Sequence, residues 1–249
     1  MKHVYILTPF PKMAEAVIGE SILRRAAEKS LVAYHLVDMR DFTEGKYRQI
    51  DDYPFGGGTG MVMMAEPILK AMDHVRSVHK SDDDLRVVFP TPQGEILTQE
   101  KAWDLSKEEA LVFISGHYKG IDERIREMEV TDEISIGDYV VTGGELPAMV
   151  ILDSVVRLIP AVLGDHDSAT SDSFSHEFLD HPHYTRPEEI RGVKVPDVLL
   201  SGHHARIEEW RNAKREAITK ERRPELWKRY QEEILETRAD EKRRCTQET

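Results

Sequence analysis

Chemistry in this sequence is concentrated in four glycine-bearing segments and two sets of polar side chains. Asp51-Asp52-Tyr53-Pro54-Phe55-Gly56-Gly57-Gly58-Thr59-Gly60-Met61 could bring backbone close to a ligand or be a surface turn. No Gly-Lys-Ser/Thr follows it, so nucleotide hydrolysis on a P-loop is excluded. Pro90-Thr91-Pro92-Gln93-Gly94 and Ser115-Gly116-His117-Tyr118-Lys119-Gly120 each follow an apolar, strand-like run, and Ile136-Gly137-Asp138-Tyr139-Val140-Val141-Thr142-Gly143-Gly144 also reads as a strand end, leading into an apolar helix. Strand ends of this kind hold ligands in open α/β sheets. None contains G-x-G-x-x-G, which argues against a standard dinucleotide site. Asp153 and Arg157 interrupt an apolar helix at i, i+4 spacing, as a helical ion pair or as functional groups. Arg157 offers a planar fork of donors suited to an oxyanion. A polar stretch follows, with Asp165, His166, Asp167, Ser168, Ser171, Asp172, His176, His181 and His183. It has no H-E-x-x-H, and the chain has no G-x-S-x-G, so neither a catalytic transition metal nor a Ser-His-Asp hydrolase is expected.

The surrounding pattern predicts the elements that position these groups. His3–Leu7, Val32–Val37, Arg86–Phe89 and Ala110–Ser115 read as buried strands. Lys12–Lys29, Glu66–His79 and Gln99–Ser106 have helical apolar spacing, which predicts an α/β fold with a mainly parallel sheet. Leu146–Pro160 is apolar nearly all round and reads as a buried helix with Pro147 in its first turn and Pro160 at its end. Asp165–Asp180 lacks any period and reads as a linker or active-site loop. Helical spacing returns over His204–Lys220 and from Pro224 to about Glu236, predicting a small all-α domain.

The chain of 249 residues has 40% hydrophobic and 32% charged residues, enough for a packed core. No apolar run reaches the ~20 residues of a membrane helix, and Met1–Leu7 reads as a strand rather than a signal peptide. A single cysteine, Cys245, excludes an internal disulfide framework and a multi-thiolate zinc site, and fits a reducing cytoplasm. The net charge of −12 opposes a generic nucleic-acid coat protein. Ser201–Thr249 nevertheless carries +2 and two of the three tryptophans, Trp210 and Trp227, so RNA contact or an ordinary solvated helix pair are both open there.

Read in order, DDYPFGGGTGMVM, ISGHYKGIDERI, EISIGDYVVTGGELPAM, RLIPAVLG, SATSDSF, LDHPHYTRP and LLSGHHARIEEWR closely resemble bacterial tRNA (guanine-37-N1) methyltransferases of the SPOUT superfamily. The resemblance covers nearly the whole chain. It implies a parallel sheet with a C-terminal deep trefoil knot over residues 1–163, an interdomain active-site loop over 164–187, and a helical tRNA-binding domain over 188–249. It implies S-adenosylmethionine as methyl donor, with magnesium as a candidate helper, tRNA as substrate and a homodimer with active sites at the subunit interface. By motif, Phe89, Pro90, Thr91, Pro92, Gly116, Tyr118, Ile136, Gly137, Asp138, Tyr139, Val140, Val141, Gly143, Gly144 and Pro147 would hold the donor. Asp172 would be the general base and Arg157 its positive partner.

One position departs from the family pattern. Lys119 stands where relatives of this type commonly carry an acid after the tyrosine of Gly-x-Tyr-x-Gly. If that acid helps hold the donor's ammonium end, a lysine there repels it. Two other readings compete: a SPOUT enzyme acting on another base or a ribose, and a silent RNA-binding dimer. Ser171-Asp172-Ser173-Phe174 discriminates against the first, since ribose methylation has no N1 proton to remove, and retention of both Asp172 and Arg157 speaks against the second.

Overall fold

A computed structural model of the chain describes residues 1–79, 85–163, 172–174 and 178–232. Asp165, His166, Asp167, Ser168, Ser171, His176, the expected helix end near Glu236 and Cys245 lie outside them. The chain divides into two compact units, Met1–His166 and Asp167–Thr249.

The first unit is built on five strands: β1 (Lys2–Thr8), β2 (Val32–Asp38), β5 (Leu85–Ile96), β6 (Ala110–Ile114) and β7 (Asp132–Ser135). Their order is β2-β1-β6-β5-β7 and every pairing is parallel. A parallel sheet covered on both faces needs continuous apolar strands, and β6 is buried at every residue. Two-residue strands β3 (Asp51–Asp52) and β4 (Val62–Met63) pair antiparallel beside the sheet.

Helices α1 (Pro11–Ile18) and α2 (Ser21–Glu28) replace the single helix expected over Lys12–Lys29. The break comes at Gly19, a poor helix former that instead caps α1 by donating its N–H to Glu15 O at 3.0 Å. Helices α3 (Ala65–His79), α4 (Gln99–Lys107) and α5 (Glu123–Glu129) complete the alternation. α6 (Glu145–Val156) stops before Pro160, where it was expected to end. From Leu158 the N–H groups bond three residues back, to Val155 and Val156, so the last turn tightens and the α-ladder gives way.

β7 is the element that apolar patterning did not reveal. It is four residues long and starts at an acid, Asp132. That acid is buried because Arg86 grips it with two hydrogen bonds of 2.8 and 2.9 Å and Lys101 reaches it at 2.7 Å. Burial alone would raise the Asp132 carboxyl, but the hydrogen bonds from Arg86, Lys101 and Thr131 outweigh it and hold the group well below the usual carboxylate range. The folded state therefore keeps this charge where the unfolded chain binds a proton. Its contribution is complete above about pH 4 and is lost as pH falls below that. Asp132→Asn is expected to be less stable than wild type at neutral pH, with the gap closing in acid. Urea denaturation across that range reads it; a gap that stays constant with pH contradicts the assignment.

The second unit contains α7 (Asp197–Leu200), α8 (His204–Arg222) and α9 (residues 224–232). Among the described residues it departs from an all-α reading at the short ladder of β8 (Glu189–Ile190) with β9 (Val193–Lys194). Thr219 and Leu226 are its buried residues on α8 and α9. Phe178, Trp227 and Tyr230 form an aromatic cluster with ring centroids 4.4 to 6.1 Å apart.

Candidate active site

The carboxyl ends of β5, β6 and β7 open into a cleft of about 350 Å³ in the first unit. The β5 contribution is an excursion within one strand. Pro90 pairs with Ile134, residues 91–94 loop out, and Glu95 then returns to the same Ile134. Gly94 makes this return possible, since a Cβ there would sit 2.3 Å from the Glu133 carbonyl carbon. Strand β5 consequently runs to Ile96 rather than ending at Phe89 as the sequence suggested.

Phe89, Pro90, Thr91 and Pro92 form one wall of the cleft, and Gly116 and Tyr118 come from the loop after β6. Ile136, Gly137, Tyr139, Val140, Val141, Gly143, Gly144 and Pro147 come from the long turn after β7 and the start of α6. Of the residues singled out by motif for the donor, Asp138 alone is not among the lining residues. The two later loops touch closely. Gly144 N–H donates to Gly116 O at 2.7 Å, and a Cβ on Gly144 would stand 2.7 Å from Gly116 N and 3.0 Å from Ser115 Cα. Gly137 has φ +143, a conformation that side chains rarely adopt. Tyr118, at φ +60, holds the same kind of strained backbone without being glycine.

His117, Lys119, Gly120, Ile134, Ser135 and Thr142 also line the cleft; of these the sequence marked only Lys119, as a departure from the family pattern. His117 is the most consequential. Its Nε2 lies 2.7 Å from Glu145 Oε2, and Thr8 Oγ1 donates to Glu145 Oε1 at 2.7 Å. Thr8 and Glu145 are buried, so this chain of contacts ties the end of β1, the first residue of α6 and the cleft wall together. Backbone spacing in the sequence could not reveal a contact between residues so far apart in the chain. Removing the ring leaves a buried carboxyl short of a partner, which costs about 1–3 kcal/mol. His117→Ala is therefore expected to lose that much in chemical denaturation and to weaken ligand binding in the cleft. A variant as stable as wild type overturns this role.

Lys119 donates its N–H to Met61 O at 3.0 Å, and its side-chain stem lies over Gly60. The Gly56–Gly60 segment thus runs beside the cleft loop, with Tyr53 and Phe55 exposed. Arg157 is half-buried at the carboxyl end of α6, in the same unit as the cleft.

Asp172 belongs to the second unit, where it lines a cleft of about 420 Å³ with Phe178, Leu179, Asp180, Asn212, Arg215, Glu216 and Tyr230. Short hydrogen bonds shape its segment. Phe174 N–H donates to Phe178 O at 2.9 Å, Asp180 N–H to Ser173 Oγ at 3.0 Å, and Leu179 N–H to Thr219 Oγ1 at 2.9 Å. Asp172 is half-buried there, beside the cationic Arg215. The cleft residues from α8 lie some forty residues downstream of Asp172, too far for sequence spacing to show this setting.

The sequence profile described as tRNA (Guanine-1)-methyltransferase TrmD matches residues 1–229. A tRNA (guanine-N(1)-)-methyltransferase of Anoxybacillus flavithermus is 56% identical over 226 residues, covering 91% of each chain. Proteins of the same description from Shouchella clausii and Bacillus subtilis are 54% and 55% identical, covering 91% and 89% of this chain and 91% and 90% of their own.

Proposed function

The chain belongs to the tRNA (guanine-1)-methyltransferase family, and on that premise we propose that it transfers a methyl group from S-adenosylmethionine to N1 of guanine 37 in tRNA. The observation that carries the reading is the cleft at the ends of β5, β6 and β7, which gathers every residue assigned to the donor except Asp138. Its chemistry suits the donor. Apolar Phe89, Ile136, Val140 and Pro147 can sandwich an adenine, and backbone groups of the glycine turns can read its edge and ribose. The donor carries no phosphate, which agrees with the missing glycine-rich phosphate loop. The donor, when bound, supplies a methyl group already activated on a sulfonium, so the protein's task is alignment and exclusion of water.

Asp172 takes the proton from guanine N1 as general base, because N1 is a poor nucleophile until that proton leaves. Negative charge then spreads toward O6, where the Arg157 guanidinium stabilises it. The knotted SPOUT topology belongs to this proposal, supported by the hydrogen bond that joins the Gly144 and Gly116 loops and by the family. So does the division into a donor module over residues 1–163, an active-site loop over 164–187 and a tRNA-binding module over 188–249. Basic side chains over aromatic rings, Lys220 on Trp227 at 4.2 Å and Lys214 on Trp210 at 5.8 Å, give the last module a surface suited to RNA. Among the described residues no helix is long and apolar enough to cross a membrane. The reaction belongs in the cytoplasm with its substrate.

We place the active site between two copies of the chain. Leu146 and Val150 on α6 are about half exposed, and Val140 beside the cleft is 85% exposed, which supports an apolar face awaiting a second subunit. In a two-fold dimer Asp172 of one subunit would serve the cleft of the other. Magnesium remains a candidate helper without a carboxylate cage of its own in the cleft. The test of function is transfer of labelled methyl from S-adenosylmethionine into a tRNA transcript with guanosine at position 37. No transfer is expected when that base is adenosine. Equal labelling of both transcripts overturns the proposal.

A further inference from the structure

The segment Asp180-His181-Pro182-His183 folds three metal-type donors onto one another, with the candidate ligand atoms all within 4.8 Å. His183 Nε2 lies 2.8 Å from Asp180 Oδ2, and His181 Nε2 lies 3.8 Å from Asp180 Oδ1. The other nitrogen of His181 is engaged: Nδ1 sits 3.2 Å from Pro182 O, a contact that needs the proton on Nδ1. Nε2 is then the lone-pair nitrogen, aimed at the carboxyl group. A backbone carbonyl that fixes the tautomer in this way is the usual support of a metal-binding imidazole. The two rings stand 4.4 Å apart, and His181 is buried against Trp210 while His183 is 70% exposed, leaving one side open.

The geometry points to a binding site for a divalent transition ion of the zinc class, held by Asp180, His181 and His183 with a fourth position open to solvent. Two imidazole nitrogens and one carboxylate oxygen suit zinc, and magnesium, which prefers oxygen donors, is disfavoured. Tetrahedral bonds of about 2.0–2.1 Å put ligand atoms roughly 3.3 Å apart. The widest of the three separations must close by about an ångström and a half at most, within reach of the exposed His183. As the ion enters, the proton on His183 Nε2 moves to Nδ1, so the ring stays neutral. Arg215 Nε, 3.4 Å from Oδ1, opposes the ion and sets an upper limit on its affinity. Asp180 also lines the Asp172 cleft, so the ion would sit on the wall of that cleft. The inference does not depend on the methyl-transfer reading.

The other imidazole group of the chain serves as control. His3 Nδ1 and His35 Nε2 are 3.1 Å apart with nearly coplanar rings, 10° between planes, so the pair is closed on itself by a hydrogen bond. His79 stands edge-on to His3. Tag-free, chelator-treated full-length protein should be titrated with zinc chloride by calorimetry. The expected result is one zinc per chain, weakened by about a hundredfold in His183→Gln and in His181→Phe, and unchanged in His79→Gln. Circular dichroism checks the fold of each variant. Should His181→Phe unfold, the exposed His183→Gln decides the matter alone. Absence of saturable binding, or binding that His183→Gln leaves intact or His79→Gln abolishes, overturns the site.

Discussion

Asp172→Asn is expected to lower methyl transfer to tRNA by roughly 10²–10⁴-fold, the span general-base catalysis provides, while leaving fold and donor binding close to wild type. The amide keeps the size and half-buried position of the side chain in the cleft with Arg215 and Tyr230. It removes the property that the proposed role requires, a lone pair basic enough to take the N1 proton. Stability should change little, because Asn fills the same volume and the backbone bonds through Ser173, Phe174, Phe178 and Thr219 that shape the segment are kept. Donor binding should hold because Asp172 is not among the residues lining the first cleft. Single-turnover assays with saturating tRNA separate the chemical step from binding. Full turnover in the variant removes Asp172 from the role of base.

Gly144→Ala is expected to abolish donor binding through a different mechanism. The added methyl would meet backbone at 2.7 Å, on Gly116 N, where no side-chain rotation can relieve it. The loop after β7 would have to retreat from the loop after β6, breaking the 2.7 Å hydrogen bond from Gly144 N–H to Gly116 O. Both loops line the cleft, so even a retreat of half an ångström disturbs many contacts to a small ligand. Overpacking of this kind costs about 1–3 kcal/mol or more in stability. Calorimetry with S-adenosylmethionine on the folded fraction is expected to show no saturable binding. Wild-type affinity in Gly144→Ala would mean that the two loops do not jointly form the donor site.

The parts of the fold that the sequence disclosed are those written in burial pattern. β1 and β6 are apolar on both faces because a covered parallel sheet demands it, β2 at the sheet edge is mostly half-buried, and the limits of all three differ from expectation by a residue at each end at most. Pattern fails where polar pairing does the work. β7 is buried through the Arg86–Asp132 grip, and periodicity cannot show a partner that lies 46 residues away. The division of α1 from α2 turned on one glycine inside an otherwise continuous helical spacing. At the candidate site the glycine turns were visible as motifs. The His117–Glu145–Thr8 chain was not, because each member looks ordinary in its own stretch and only the folded sheet brings them together. Likewise, the sparse spacing of His181-Pro182-His183 hid a convergence that depends on how the chain turns at Pro182 and on Asp180 folding back toward both rings.

The proposed reaction is methylation of guanine 37 at N1. The most direct test is nuclease mapping with mass spectrometry of a tRNA transcript after incubation with the protein and S-adenosylmethionine. One added methyl group, confined to the fragment carrying position 37 and released on digestion as 1-methylguanosine, is the result expected. A methyl group on a ribose, on another base or at another position, or an unmodified transcript from folded protein, contradicts the account.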